Sequence, residues 1–213
     1  MVKRLNRHLI VMQQGYYIIP GATTVGIKGA DGVVLASEKR LSYGNFVVSK
    51  NARKVFQLTK NAGAACAGLV SDMQGLIREA KALINIYMLE QGRLPSVNTV
   101  AKVLSTYLFG NRFFPYFTET VVGGVDSTGA HIYVLDPLGS MIEDDYTAVG
   151  SGAEIAAGVL ETWFKPGLSS DEITELAIKA VKAGATRDAA SGNGIDILVI
   201  GRSGVVRLET IQF

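Results

Sequence analysis

Apolar residues in this chain change their period in blocks, and the order of the blocks limits the fold more than any other feature. From Thr24 to Gly68 they form short β-prone runs. Val25 and Ile27 come first, then Val33-Val34-Leu35-Ala36 beyond the Gly29-Ala30-Asp31-Gly32 turn. The Asp-Gly pair in that turn is a strong hairpin signal. Leu41-Ser42-Tyr43-Gly44 reads as a further turn. Residues 54–58 and 62–68 read as two more strands, the second built of small residues, as expected where another layer comes close. The period then becomes helical. Leu76, Ile77, Ala80, Leu83, Ile84 and Tyr87 mark one amphipathic helix over about 72–91. Val100, Val103, Leu104, Tyr107 and Leu108 mark a second, opened by Pro95 and an N-cap at Ser96. Strands return at 118–125 and 130–135. A third helix is expected over 153–164, stopped by Pro166-Gly167. A fourth follows Ser169, which has capping-box spacing to Glu172, and turns Ile173, Leu176, Ala177, Ala180 and Val181 inward. Strands at 195–200 and 205–208 close the chain.

Strand groups that do not alternate one-to-one with helices exclude a doubly wound parallel sheet. The expected class is α+β: two antiparallel sheets packed face to face, each covered by a helix pair, a four-layer αββα sandwich. At 213 residues, without an internal repeat or linker, the chain suits one domain over 22–213 after an arm of residues 1–21. Hydrophobic residues make up 48% and charged residues 19%, which suits a domain that also buries surface against partner subunits. The formal charge of +2 implies no nucleic-acid or membrane partner. The single cysteine, Cys66, excludes an intrachain disulfide and points to a reducing compartment. Lys3, Arg4 and Arg7 precede only four apolar residues, too few for a signal peptide. No later run approaches the roughly 18 apolar residues of a membrane span. A soluble, cytoplasmic protein is expected.

Several chemistries are excluded by what is missing. The only histidines are His8, in the arm, and His131, inside an expected strand, so a Ser-His-Asp or Cys-His arrangement is not supported. His131 reads as structural. Cys66 lies in an apolar strand with no basic neighbour in sequence and reads as a packed thiol. No His or Cys cluster has metal spacing, and no cofactor is implied.

The remaining chemistry-bearing residues fall into ordered blocks: Thr23-Thr24-Val25-Gly26, Ala36-Ser37-Glu38-Lys39-Arg40, Lys54-Val55-Phe56, Ala67-Gly68-Leu69-Val70-Ser71-Asp72, Gly150-Ser151-Gly152 and Arg187-Asp188-Ala189-Ala190-Ser191-Gly192. Singly, each reads blandly: Glu38 and Lys54 as a surface pair, Ser151 as part of a helix N-cap, Asp188 as a helix end. Together, in this order and spacing, they resemble a β subunit of the 20S proteasome, of the archaeal type, from about Gly21 to the C-terminus.

That resemblance implies an N-terminal-nucleophile hydrolase whose mature chain starts at a Thr released by self-cleavage after Gly21. The Thr hydroxyl attacks a peptide carbonyl, with its own α-amino group as base. Carried over residue by residue, Lys54 lies beside the hydroxyl and Glu38 holds it. The Gly68 N–H is the oxyanion donor, and Ser151, Asp188 and Ser191 surround the terminal amine. Leu41, Ala52, Phe56, Cys66 and Val70 line an apolar specificity pocket. The implied partners are other β subunits in a heptameric ring, a ring of α subunits, a regulatory ATPase and unfolded polypeptide substrates.

One departure decides activity. Ala22 occupies the nucleophile position, sixteen residues before Glu38 and thirty-two before Lys54. A methyl group can neither attack a carbonyl nor release residues 1–21. The chain is therefore expected to be silent and to keep its leader, whether Ala22 is engineered or natural to a subunit working beside an active paralogue. Thr23 is no substitute, because successive strand side chains face opposite ways.

Overall fold

The computed structural model describes residues 21–212. The expected leader over 1–21 therefore lies, except for Gly21, outside the described residues. The elements are β1 (Thr24–Lys28), β2 (Gly32–Glu38), β3 (Leu41–Tyr43), β4 (Phe46–Ser49), β5 (Val55–Gln57), β6 (Ala62–Gly68), α1 (Val70–Gln91) and α2 (Val97–Gly110). They continue as β7 (Thr118–Asp126), β8 (Gly129–Leu135), β9 (Met141–Asp144), β10 (Tyr146–Val149), α3 (Ala153–Trp163), α4 (Ser170–Arg187), β11 (Ile195–Gly201) and β12 (Gly204–Ile211).

Two five-stranded sheets form, ordered β10-β1-β2-β11-β12 and β5-β6-β7-β8-β9, with a separate β3-β4 hairpin. Every strand pairing between neighbours is antiparallel. Three apolar clusters define the layers. One joins α1 and α2 to the second sheet, one joins α3 and α4 to the first, and one lies between the sheets. The αββα sandwich expected from the block order is the architecture found.

Burial explains the sequence pattern. All seven residues of β2 and of β11 are buried, because the helices cover one face of these central strands and the other sheet covers the second. Alternation therefore gives way to continuous apolar runs. Small residues bring the sheets together: a Cβ on Gly26 would lie 2.5 Å from Val121, and one on Gly63 would lie 2.3 Å from Leu198, in the facing sheet.

Several expectations need correction. Leu41–Tyr43 is a strand rather than a turn; the reversal comes at Gly44, with φ +56, and leads into β4. β9 and β10 went unforeseen, being four-residue edge strands joined through Asp144 and Asp145 with little apolar patterning. α1 begins at Val70, two residues before the expected start. By contrast, the Ser96 cap on α2 and the Ser169–Glu172 capping box on α4 form as read. His131 sits on β8 between Glu143 at 2.6 Å and Thr128 at 2.8 Å, holding the β7–β8 turn to β9.

The outer face of α1 leaves Leu83, Ile86 and Leu89 exposed, Leu89 by 85%. No helix among the described residues is long and apolar enough to cross a membrane.

Leu104, on α2, is fully buried against the second sheet. Leu104→Ala is expected to lower stability by about 3 kcal/mol through lost burial and a residual cavity. A urea unfolding midpoint shifted down with unchanged slope is the expected readout.

Candidate active site

The candidate residues come from separate parts of the chain and meet at one end of the sandwich. β1 begins beside the Gly21–Ala22 junction, and alternation sends neighbouring side chains to opposite faces. Ala22 is fully buried in the cluster between the sheets. Thr24, on the same face, shares a hydrogen bond with Ser37 and donates to the Cys66 carbonyl in the facing sheet at 3.1 Å. Thr23 points the other way, donating to Ser191 Oγ at 2.9 Å. It fits between two glycines: a Cβ on Gly152 or Gly184 would come within 2.0 or 2.5 Å of its hydroxyl oxygen.

Lys54, just before β5, is 1% exposed and forms an ion pair with Glu38 at the end of β2. Its Nζ also donates to the carbonyl oxygen of Gly21 at 3.3 Å, which places an ammonium on the junction peptide itself. The second Glu38 oxygen accepts backbone N–H groups from Arg40 at 2.6 Å and Gly192 at 2.9 Å. Burial pushes the Lys54 ammonium below the ordinary lysine range, opposed by the Glu38 charge. Burial likewise pushes the Glu38 carboxyl up, against the pull of Lys54 and the two backbone donors.

The other side of the junction is held by hydroxyls. The Ala22 N–H donates to Ser151 Oγ at 3.2 Å, and Ser151 donates onward to Asp188 Oδ2 at 2.5 Å. Ser191 donates to the same oxygen at 2.6 Å. Asp188 caps the C-terminus of α4, so the helix end fixes the acceptor that both serines share. Gly68 ends β6 with φ +130, where a Cβ would lie 2.2 Å from the Phe117 carbonyl oxygen. Together with Ser151 it lines a cavity of about 280 Å³ that also involves Ala67, Phe117, Glu119 and Gly150.

Ala22, Glu38, Lys54, Ser151, Asp188 and Ser191 are thus one connected network, with Gly68 on the adjoining cavity wall. The five expected pocket residues divide. Phe56, Cys66 and Val70 share the cluster under α1 and α2. Ala52 is buried, with its N–H on the Lys39 carbonyl at 2.9 Å, and Leu41 is half-buried on β3 opposite Ser49; both lie outside that cluster.

Two positions escaped the sequence reading. Arg40 ties β2 to the 188–193 loop through Asn193 Oδ1 and the Ala189 carbonyl, both at 2.8 Å. Glu119 accepts the Gly150 N–H at 2.7 Å. Its signal was available: it is a charge in line with Val121 and Val125, which face the opposite sheet.

With this geometry in place, comparison with known proteins is specific. Residues 19–200 match the family model for proteasome subunits. The chain belongs to the proteasome subunit family. It is 51% identical over 189 residues to proteasome subunit beta 2 of Thermofilum pendens, covering 89% of this chain and 92% of that one. It is 52% identical over 183 residues to proteasome subunit beta 1 of Hyperthermus butylicus, covering 85% and 90%. Against proteasome subunit beta 2 of Pyrobaculum aerophilum the identity is 46% over 184 residues, covering 86% and 91%. These relatives make it a proteasome chain of the β type.

Two outcomes are expected from the site's burial. Lys54→Met leaves the Glu38 carboxylate buried without its cation, a loss of about 3–5 kcal/mol at neutral pH. In that variant the desolvation that raises the Glu38 carboxyl acts without the lysine's opposition. The folded state then holds the proton more tightly than the unfolded state does, so its stability falls as pH rises. The deficit relative to the parent is therefore larger at pH 8 than at pH 5, as paired urea titrations would read. Cys66 is fully buried, and burial pushes its thiol up to about 12. It is expected to resist iodoacetamide at pH 8 in the folded chain and to react once the chain is unfolded.

Proposed function

We propose that this chain is a β subunit of the 20S proteasome core particle, built as a threonine endopeptidase but silent because Ala22 stands where the nucleophilic threonine belongs. One observation carries the reading. The Lys54 ammonium, held by Glu38, donates to the Gly21 carbonyl oxygen at the very peptide bond that self-cleavage would break, and the residue after that bond offers only a methyl group.

The roles follow from reach. In a chain with a hydroxyl at position 22, Lys54 would stand next to it and favour its deprotonated form. The Gly68 N–H, on the cavity wall, would steady the oxyanion. Ser151, Asp188 and Ser191 would hold the terminal amine once it is free, since Ser151 already receives the Ala22 N–H. The apolar residues Leu41, Ala52, Phe56, Cys66 and Val70 would favour cleavage after hydrophobic residues. With alanine in place the peptide stays intact, residues 1–21 remain attached, and Ser151 binds an amide rather than an amine.

Around the site, the reading places the chain in a heptameric β ring against an α ring, in the cytoplasm, acting on unfolded polypeptides delivered by a regulatory ATPase. The exposed Leu83, Ile86 and Leu89 of α1 suit a subunit that buries this face in an assembly. A narrower version is that the chain serves ring assembly beside an active paralogue.

Ala22→Thr is the decisive variant. Intact mass is expected to show loss of residues 1–21, together with new hydrolysis of a peptide carrying a hydrophobic residue before the scissile bond. Lys54→Ala in the same background is expected to abolish both. An Ala22→Thr chain that folds and assembles yet stays uncleaved and inactive would leave only the assembly role. A mature chain of the unaltered protein beginning at Thr23 would overturn the register.

A further inference from the structure

We infer that Glu119 is a positioning residue for this site: its carboxylate sets the loop that aims Ser151 at the junction peptide. The inference rests on the reading above and adds a residue to it.

The argument starts from the backbone. β10 ends at Val149, and the chain must then turn sharply around Ala22 before α3 begins. Gly150 makes that turn with φ +96, in the left-handed region, where a side chain would be strained. A Cβ there would also lie 2.3 Å from the Ala22 carbonyl oxygen and 2.9 Å from the Ala67 side chain. Two backbone contacts hold the turn. The Gly152 N–H donates to the Ala22 carbonyl at 3.1 Å. The Gly150 N–H donates to Glu119 Oε2 at 2.7 Å.

Ser151 sits between these two anchors. It accepts the Ala22 N–H and donates its own hydroxyl to Asp188. Glu119 therefore fixes one end of a three-residue arch whose middle residue touches the reacting peptide. The strut also crosses between layers. Glu119 lies on β7 opposite Ala67, one step from the Gly68–Thr118 pair, whereas Gly150 follows β10 of the other sheet. It thus ties the wall that carries Gly68 to the loop that carries Ser151, and both line the same cavity.

What the arch requires is an acceptor at the right reach. Glutamine keeps that reach and a carbonyl oxygen acceptor. Aspartate keeps the charge but is shorter by one carbon–carbon bond, about 1.5 Å, which takes a 2.7 Å contact out of hydrogen-bond range. Glu119→Gln and Glu119→Asp therefore separate reach from charge.

The test has two arms. In the first, self-cleavage of Ala22→Thr chains is followed by intact mass. Glu119→Gln is expected to cleave within about threefold of the Ala22→Thr parent, with Glu119→Asp and Glu119→Ala slowed at least tenfold. In the second, hydrogen–deuterium exchange is measured on the unaltered Ala22 chain and its Glu119 variants. The segment holding Gly150–Gly152 is expected to exchange at least tenfold faster in Glu119→Asp and Glu119→Ala, but not in Glu119→Gln, with exchange in α2 and β11 unchanged. Cleavage by Glu119→Asp at the parent rate with Glu119→Gln impaired would overturn the inference, as would equal rates in all variants. If the Ala22→Thr parent stays uncleaved, the catalytic reading fails. The exchange arm then still decides whether Glu119 sets the loop, and unchanged exchange overturns that too. If Glu119→Ala does not fold, the Gln–Asp contrast alone decides.

Discussion

A lysine and a glutamate sealed between two sheets are the constraint from which the rest of this molecule follows. Two such charges are tolerated in a nearly dry interior only when each meets the other and the leftover valences are filled. Glu38 meets that condition with Lys54 on one oxygen and two backbone N–H groups on the other. Lys54 turns its remaining reach to the Gly21 carbonyl. The pair sits where β2 ends and β5 begins, so it also fastens one sheet to the other at the end where the chain junction enters.

The surrounding network shows how the sandwich gathers polar groups from distant sequence. Ser151 arrives on the loop before α3, Asp188 on the cap of α4, and Ser191 three residues later. Each is placed by an element whose own formation depends on helix–sheet packing rather than on the site. Arg40 then binds the 188–193 loop back to the end of β2, so the two arms of the network cannot drift apart without breaking these contacts. The exposed Leu83, Ile86 and Leu89 on the outer face of α1 take no part in this network.

Much of this was legible before any coordinates. The continuous apolar runs of β2 and β11 follow from burial on both faces, and the helix pairs announced themselves through 3.6-residue spacing and the caps at Ser96 and Ser169. The juxtaposition of the candidate residues was legible through spacing: no periodicity marks Glu38, Lys54 or Asp188 individually, but their order resembled a known pattern. What stayed hidden was set by tertiary pairing. β10 has too few residues to show alternation and exists as a strand because β1 offers it an edge. The β3-β4 hairpin carries Leu41 and Tyr43 in so short a run that turn chemistry dominated the reading. Local pattern marks Glu119 as a charge in line with apolar residues, but it does not encode that Glu119 and Arg40 meet backbone groups more than thirty residues away in sequence.

Thr23, wedged between Gly152 and Gly184, has a consequence of its own. It is a peg on the helix side of β1, while Ala22, the proposed nucleophile position, lies one residue earlier on the sheet side. Alignment of the strand and competence for chemistry are thus assigned to adjacent residues with opposite orientations. On the proposed reading, the fold can lose the second without disturbing the first, and a silent subunit would present its neighbours with the same shape as a working one.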